Sequence, residues 1–205
     1  MINIIIMEVS QLDTQTALKE LIAGNARFTS GQMTHRNTDP ERRAELVKGQ
    51  KPFAVILSCS DSRVPPEVLF DQGLGDIFVI RNAGNVVDPV SLGSIEYAVD
   101  HLHSPLVVVL GHDKCGAIGA AVEGGEAHGS IGAIMEKIAR AVATAKASGA
   151  AGAALVEKTA DENIKTTVVD IKASHIVQHL IKEGKLSVIG AKYDLASGVV
   201  TFHKG

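Results

Sequence analysis

Apolar residues gather in short continuous runs that predict buried strands, separated by amphipathic stretches that predict helices. Valine, isoleucine and leucine dominate these runs, a composition typical of strands covered on both faces. A turn signal at Gly198 precedes a last run at 199–203, which is expected to fold back as an antiparallel hairpin. The four runs before it lie at residues 53–58, 76–81, 106–110 and 186–193.

Between the runs, apolar residues recur every three or four positions, which predicts helices. Asp13 is a plausible N-cap for the first helix, and Asp–Pro pairs beginning at Asp39 and Asp88 indicate two further starts. Helical patterning also covers most of 131–183, with a break expected near Ser174. The alanine- and glycine-rich part of this region is interpreted as a helix with weak ends, not as a linker.

Together these elements predict one α/β domain spanning residues 1–205. Its mostly parallel central sheet has four strands plus an antiparallel edge strand, flanked by helices, with an N-terminal helical extension. Residues 1–11 are expected to be flexible.

Composition narrows the functional classes. With 205 residues and 45% hydrophobic residues, the chain can bury a full core. Its net charge of −3 gives no reason to expect nucleic acid or an anionic membrane as partner. The opening stretch Met1–Met7 is too short to span a bilayer and makes a poor signal peptide. Two cysteines are too few for a disulfide framework, which favours a reducing, cytoplasmic setting.

Both cysteines lie in polar stretches that follow predicted strands. Cys-Ser-Asp-Ser-Arg occupies 59–63 after the first strand, and Gly-His-Asp-Lys-Cys occupies 111–115 after the third. If these strands are neighbours, the two stretches meet at the carboxyl end of the sheet, where ligands collect. Two thiolates and one imidazole, from Cys59, His112 and Cys115, would suit zinc and leave a fourth position open.

Two other interpretations compete with a catalytic zinc site. Cys59 with Arg63 could be a nucleophile and its anion-binding arginine, as in cysteine phosphatases and rhodanese-like enzymes. Three intervening residues make a short anion cradle, however, and His112 and Cys115 would have no role. A purely structural zinc site is typically closed by four ligands in a domain short of core. Spacing alone leaves a zinc site and ordinary buried side chains both open.

The sequence resembles a β-class carbonic anhydrase. The resemblance rests on residues 59–64 and 111–116, with 81–85 and 94–98 matching in order and spacing, and it runs from about Ala17 to the last strand. It implies zinc-dependent reversible hydration of carbon dioxide to bicarbonate and a proton, by attack of a zinc-bound hydroxide, with one Zn²⁺ per chain.

The resemblance also implies roles for individual residues. Cys59, His112 and Cys115 would hold the zinc ion. Asp61 would either accept a hydrogen bond from the zinc-bound water or become the fourth ligand, and Arg63 would hold Asp61 off the metal. The substrate pocket would be lined by Gln50, Phe78, Ala83, Tyr97 and Gly116. Many family members carry valine at the position of Ala83.

Assembly and regulation follow from the same resemblance. It implies a homodimer or a dimer of dimers, with Gln50 reaching across the interface. The N-terminal helices, within 12–50, are expected to pack on the partner, because their apolar stripe needs a covering surface. Regulated members close the site with a second bicarbonate held by a tryptophan, an arginine and a tyrosine. Arg81 and Tyr193 match two of these, but Ile56 replaces the tryptophan, so we expect weak inhibition by bicarbonate and an Asp61 paired with Arg63 near pH 8.

Overall fold

Five strands form one twisted sheet in the order β2-β1-β3-β4-β5. A computed structural model describes residues 13–203, so the expected flexibility of residues 1–11 concerns a stretch outside the described residues. All neighbouring strands are parallel except β4 and β5, which are antiparallel. The predicted sheet with one antiparallel edge strand is therefore confirmed. Its strands are β1 Ala54–Cys59, β2 Ile77–Asn82, β3 Leu106–His112, β4 Ser187–Tyr193 and β5 Val200–Phe202.

Helices cover both faces of the sheet, and several begin at the predicted caps. The Asp13 and Asp39 carboxylates accept backbone N–H groups at the starts of α1 and α2, and Asp88 forms a capping box at α4. Ser174 caps α8, at the predicted break. The helices are α1 Thr14–Thr29, α2 Pro40–Leu46, α3 Pro66–Leu69, α4 Pro89–Asp100, α5 Gly116–Glu123, α6 Ile131–Ala147, α7 Gly152–Lys172 and α8 His175–Lys182. Within residues 13–203, none is long and apolar enough to cross a membrane.

Two strands extend further than the apolar runs predict, and the extensions reach the candidate site. β1 includes Cys59 as its last residue. β3 continues beyond Leu110 to His112, because Gly111 and His112 keep pairing with β4. Two of the candidate ligands, Cys59 and His112, therefore belong to the ends of the sheet rather than to the loops that follow.

Alternate residues of each strand enter two different cores. Ile56 of β1 packs with Ala17 and Leu21 of α1 on one face of the sheet. Leu57 packs on the other face with Ile95 of α4 and Ile164 of α7. This alternation is the period-two pattern of a strand buried on both sides.

The chain's own core covers part of the apolar stripe of the first helix. Ala17 and Leu21 are completely buried in the chain's own core. Ile22 of the same stripe is 47% exposed, so the expectation that the helices within 12–50 pack on a partner subunit stays a prediction. The second helix differs, since α2 has no buried residue.

Candidate metal centre and active site

Three side chains from two neighbouring strand ends and one helix start form a buried cluster. Cys59 ends β1, His112 ends β3, and Cys115 is the N-cap residue of α5. Because β1 and β3 are parallel neighbours, their carboxyl ends lie side by side, as the sequence argument requires. The two Sγ atoms are 4.0 Å apart, and all three ligand atoms lie within 4.8 Å of one another.

The chemistry and geometry of this cluster fit a zinc ion. His112 donates from Nδ1 to the Asp113 carbonyl at 2.7 Å, which fixes the ring and leaves Nε2 as the ligand atom. That Nε2 is buried and has no hydrogen-bond partner among the described residues. Two sulfurs bound tetrahedrally to one zinc at about 2.3 Å lie roughly 3.8 Å apart, close to the separation of the Cys59 and Cys115 sulfurs.

Hydrogen bonds around the Cys59 sulfur favour its thiolate. The Cys115 thiol lowers the pKa of Cys59 most. Burial opposes this shift, whereas the nearby His112 ring and the backbone N–H groups of Gly84 and Asp61 lower the pKa further. Those N–H groups lie 3.4 and 3.5 Å from Sγ. The pKa of Cys115 is raised, because its proton is held against Cys59 and because the site is buried. A metal bound by both sulfurs must displace that proton.

A carboxylate held by an arginine stands beside the cluster. Arg63 donates to both oxygens of Asp61, and its backbone N–H donates to Asp61 Oδ1 at 3.0 Å. The hydrogen bonds from Arg63 hold the pKa of Asp61 well below its usual range, so the carboxylate is ionised. Asp61 Oδ2 lies 3.9 Å from His112 Nε2, which places an anionic acceptor next to the ligand atoms.

Arg81 holds the backbone of the same loop. Its Nε donates to the Cys59 carbonyl at 3.1 Å, and its Nη2 donates to the Asp61 carbonyl at 2.7 Å. The resemblance singles out this residue as a bicarbonate contact, and the observed contacts show that it also fixes the turn after β1.

Two further residues near the site were missed by the sequence analysis. Asn163 of α7 donates to the Gly84 carbonyl at 2.8 Å. Glu157, on the same helix, accepts a hydrogen bond from the backbone N–H of Lys114. Lys114 lies in the sequence between the candidate ligands His112 and Cys115. These contacts join residues 79 and 43 positions apart, and no local sequence signal indicates them.

The predicted substrate-pocket residues separate into two groups. Ala83 precedes Gly84, which contacts Cys59, and Gly116 follows Cys115, so both lie at the cluster. Phe78 pairs in register with Val55, whereas Cys59 pairs with Asn82, which puts Phe78 about 13 Å along the sheet from Cys59. Tyr97 packs against Phe78, with ring centroids 6.4 Å apart.

Gln50 belongs with Phe78 and Tyr97 to the group that lies away from the cluster, and it is exposed on the surface. It borders a cavity of ≈ 570 Å³ whose lining includes Leu46, Val47 and Leu74 but none of the cluster residues. One chain therefore does not bring Gln50, Phe78 or Tyr97 to its own metal cluster.

Comparison with known proteins covers nearly the whole described chain. The family model for carbonic anhydrase matches residues 54–200. Carbonic anhydrase 2 of Mycobacterium tuberculosis H37Rv is 42% identical over 187 residues, which are 89% of this chain and 89% of that protein. The carbonic anhydrase of Mycolicibacterium smegmatis is 42% identical over 189 residues, 90% of each chain.

Solved structures share the fold as well. A structure from a study of two tetrameric β-carbonic anhydrases of the ascomycete Sordaria macrospora superposes with a TM-score of 0.76 at 26% sequence identity. The match covers 93% of this chain and 98% of that one.

Proposed function

Because this chain belongs to the β class of the carbonic anhydrase family, we propose that Cys59, His112 and Cys115 hold its catalytic zinc ion. The reaction is the zinc-dependent, reversible hydration of carbon dioxide to bicarbonate and a proton. When bound, one zinc per chain supplies the acidity that lets a water act as a nucleophile near neutral pH, a property long known for carbonic anhydrases. The observation that carries the assignment is the buried Cys–His–Cys cluster with Asp61 beside it.

The protein side chains around the metal position and orient the reactants. Asp61 is ionised and can only accept hydrogen bonds, so it orients the water at the fourth position. Arg63 donates to both Asp61 oxygens, which restrains the carboxylate from taking that position itself. Ala83 and Gly116 lie beside the cluster and add no polar side chain of their own to it.

The assembly we propose is a homodimer or a dimer of dimers. Gln50, Phe78 and Tyr97 do not reach the cluster of their own chain, so we assign them to the pocket of the partner subunit. Exposed apolar side chains at these residues support an interface. Val47, which borders the same cavity as Gln50, is 84% exposed, and Tyr97 itself is 48% exposed. The absence of buried residues in α2 suits a helix within 12–50 that packs on a partner.

We assign the protein to a reducing compartment, the cytoplasm. Both cysteines are free thiols, and a zinc site built on two thiolates requires that they stay reduced.

Stopped-flow measurement of carbon dioxide hydration with a pH indicator at pH 8.5 tests the function. We expect hydration activity that a zinc chelator abolishes and added zinc restores. An absence of chelator-sensitive activity in the zinc-loaded protein would leave a structural zinc protein. Sulfurtransferase or phosphatase activity that survives zinc removal would instead favour Cys59 as a nucleophile.

A further inference from the structure

A chain of two hydrogen bonds links helix α7 to a metal-binding sulfur. Asn163 Nδ2 donates to the Gly84 carbonyl at 2.8 Å, and the Gly84 N–H donates to Cys59 Sγ at 3.4 Å. Asn163 is 1% exposed and Gly84 is buried, so water does not compete with either bond. One buried side chain of α7 therefore anchors the carbonyl of the residue whose N–H group contacts the sulfur.

The turn itself has little freedom apart from this contact. Residues 83–85 form a single 3-10 turn in which Gly84 has a φ of 78° and Asn85 a φ of 44°. A Cβ at Gly84 would lie 3.0 Å from Ile138 and 3.3 Å from Ala117. The turn is thus fitted closely between α5 and α6. The peptide unit whose carbonyl Asn163 holds is joined at the Gly84 Cα to the peptide unit that carries the Gly84 N–H, so a shift of the carbonyl also moves the N–H group.

Close packing of helix α7 on the sheet fixes the position of Asn163. The next residue, Ile164, lies against two strand glycines that have no side chain to keep it away. A Cβ added to Gly111 would lie 2.6 Å from the Ile164 side chain, and a Cβ added to Gly190 would lie 2.5 Å from it. Because Gly111 immediately precedes His112, the helix is seated on the same strand end that carries the second ligand.

From this geometry we infer that Asn163 is a positioning residue that sets the hydrogen bond from Gly84 to the Cys59 sulfur and so tunes the charge this sulfur donates to the metal. The inference rests on the proposed zinc site. A hydrogen bond to a ligating sulfur withdraws electron density from it, and such outer contacts adjust both metal affinity and reactivity. Without the bond, Cys59 donates more charge, and the catalytic water becomes less acidic.

The test compares two variants of Asn163 with a matched control. Asn163→Ala removes the amide, and Asn163→Ser leaves a smaller cavity with a hydroxyl too short to replace it. Thr167→Val is the control, since Thr167 lies one turn along α7, is buried, and donates to the Asn85 carbonyl of the same turn at 3.4 Å. That bond does not involve Gly84.

Two readouts are measured on each protein. In the zinc protein, both Asn163 variants should shift the midpoint of the pH profile of kcat/KM to higher pH, because an outer contact that tunes the ligand has been lost. In the cobalt-substituted protein, their sulfur-to-metal charge-transfer band should move to longer wavelength, because an unstabilised sulfur gives up an electron more easily. Thr167→Val should leave the pH midpoint and the band unchanged.

The two decisive readouts are the pH midpoint and the cobalt band, which a loss of stability alone would not move. If either stays unchanged in the folded Asn163 variants, or if Thr167→Val moves both equally, the inference is overturned. Failure of the proposed function would be visible separately, as wild-type zinc protein without hydration activity. The cobalt band would still report on the sulfur in that case.

Discussion

Arg63 and Asp61 form a two-pronged ion pair, with Nε at 2.9 Å from Oδ1 and Nη2 at 2.7 Å from Oδ2. This geometry needs the planar fork of a guanidinium and engages both carboxylate oxygens at once. Oδ2 is also 3.9 Å from His112 Nε2, and we propose that the ion pair with Arg63 keeps Asp61 beside the metal position instead of in it.

Replacing Arg63 by lysine should release Asp61. An ammonium is a point charge that cannot hold two oxygens in this geometry, so the carboxylate competes for the fourth position on the metal. We expect kcat/KM for carbon dioxide hydration to fall by about tenfold or more with zinc content unchanged. Arg140→Lys, in a surface pair with Asp170, is the control. Wild-type activity in Arg63→Lys would show that Arg63 does not restrain Asp61.

The proposed assembly gives Gln50 a role that a monomer does not provide. Sedimentation should find a dimer or a larger even-numbered assembly. Gln50→Ala should keep that mass and lower kcat/KM, because the residue completes the pocket of the partner rather than the interface core. Gln32→Ala, at another exposed glutamine, should leave the rate unchanged. A fully active monomer would refute the assembly.

Asp71 should make folding sensitive to acid. It is 2% exposed and accepts hydrogen bonds from Arg27, Thr34 and His35. Burial alone would raise the pKa of Asp71, but the hydrogen bonds from Arg27, Thr34 and His35 outweigh it and hold the pKa below its usual range. The stabilisation is therefore present above the unfolded-state value of about 3.9 and is lost as pH falls below it.

Urea unfolding of Asp71→Asn measures this contribution. At pH 7 we expect the free energy of unfolding to fall by about 3 kcal/mol, because Arg27 keeps its charge without a partner. This value is at the low end for breaking a buried ion pair, because the Arg27 side chain is about a quarter exposed. The difference from wild type should shrink as pH falls below about 4. Asp170→Asn, at a surface pair, should cost less than about 1 kcal/mol. A pH-independent difference would mean that the carboxylate charge is not what matters.

Bicarbonate should inhibit this enzyme weakly. Ile56 stands where regulated relatives of this class carry a tryptophan, and its side chain lies in the core beneath α1 with no N–H to offer an anion. Two nitrogens of the Arg81 side chain already donate hydrogen bonds to backbone carbonyls of the loop. Initial hydration rates measured at pH 8 with increasing bicarbonate should decline gradually, as expected for product competition. Steep cooperative inactivation would indicate a working second bicarbonate site.

The sequence sufficed for the parts of the molecule that depend on local pattern. Apolar runs and cap residues indicate the sheet, the helix starts and the neighbouring ends of β1 and β3. Those ends bring Cys59, His112 and Cys115 together, because parallel strands align their carboxyl termini. The extension of β3 to His112 was missed, since Gly111 and His112 do not belong to an apolar run and pair only because β4 lies alongside.

Contacts between distant segments could not be predicted in the same way. In the sequence, Asn163 is indistinguishable from an ordinary polar residue of a long helix. Its contact with Gly84 depends on how closely α7 packs on the sheet. Periodicity predicts that the apolar stripe of α1 must be buried, but it does not reveal how the stripe is shared between the chain's own sheet and a partner subunit. Phe78 and Tyr97 show the same limit, since motif order does not reveal which subunit's pocket they approach.

Titration of the metal-free protein with zinc, with the rate of carbon dioxide hydration followed in the same samples, tests whether Cys59, His112 and Cys115 hold the catalytic zinc ion. We expect that activity is absent without metal, rises linearly with added zinc and stops rising at one equivalent per chain. Cys115→Ser should show no such break, because two remaining ligands do not form a competent site. Full hydration activity without zinc, or a sharp break at one equivalent in Cys115→Ser, would overturn this assignment.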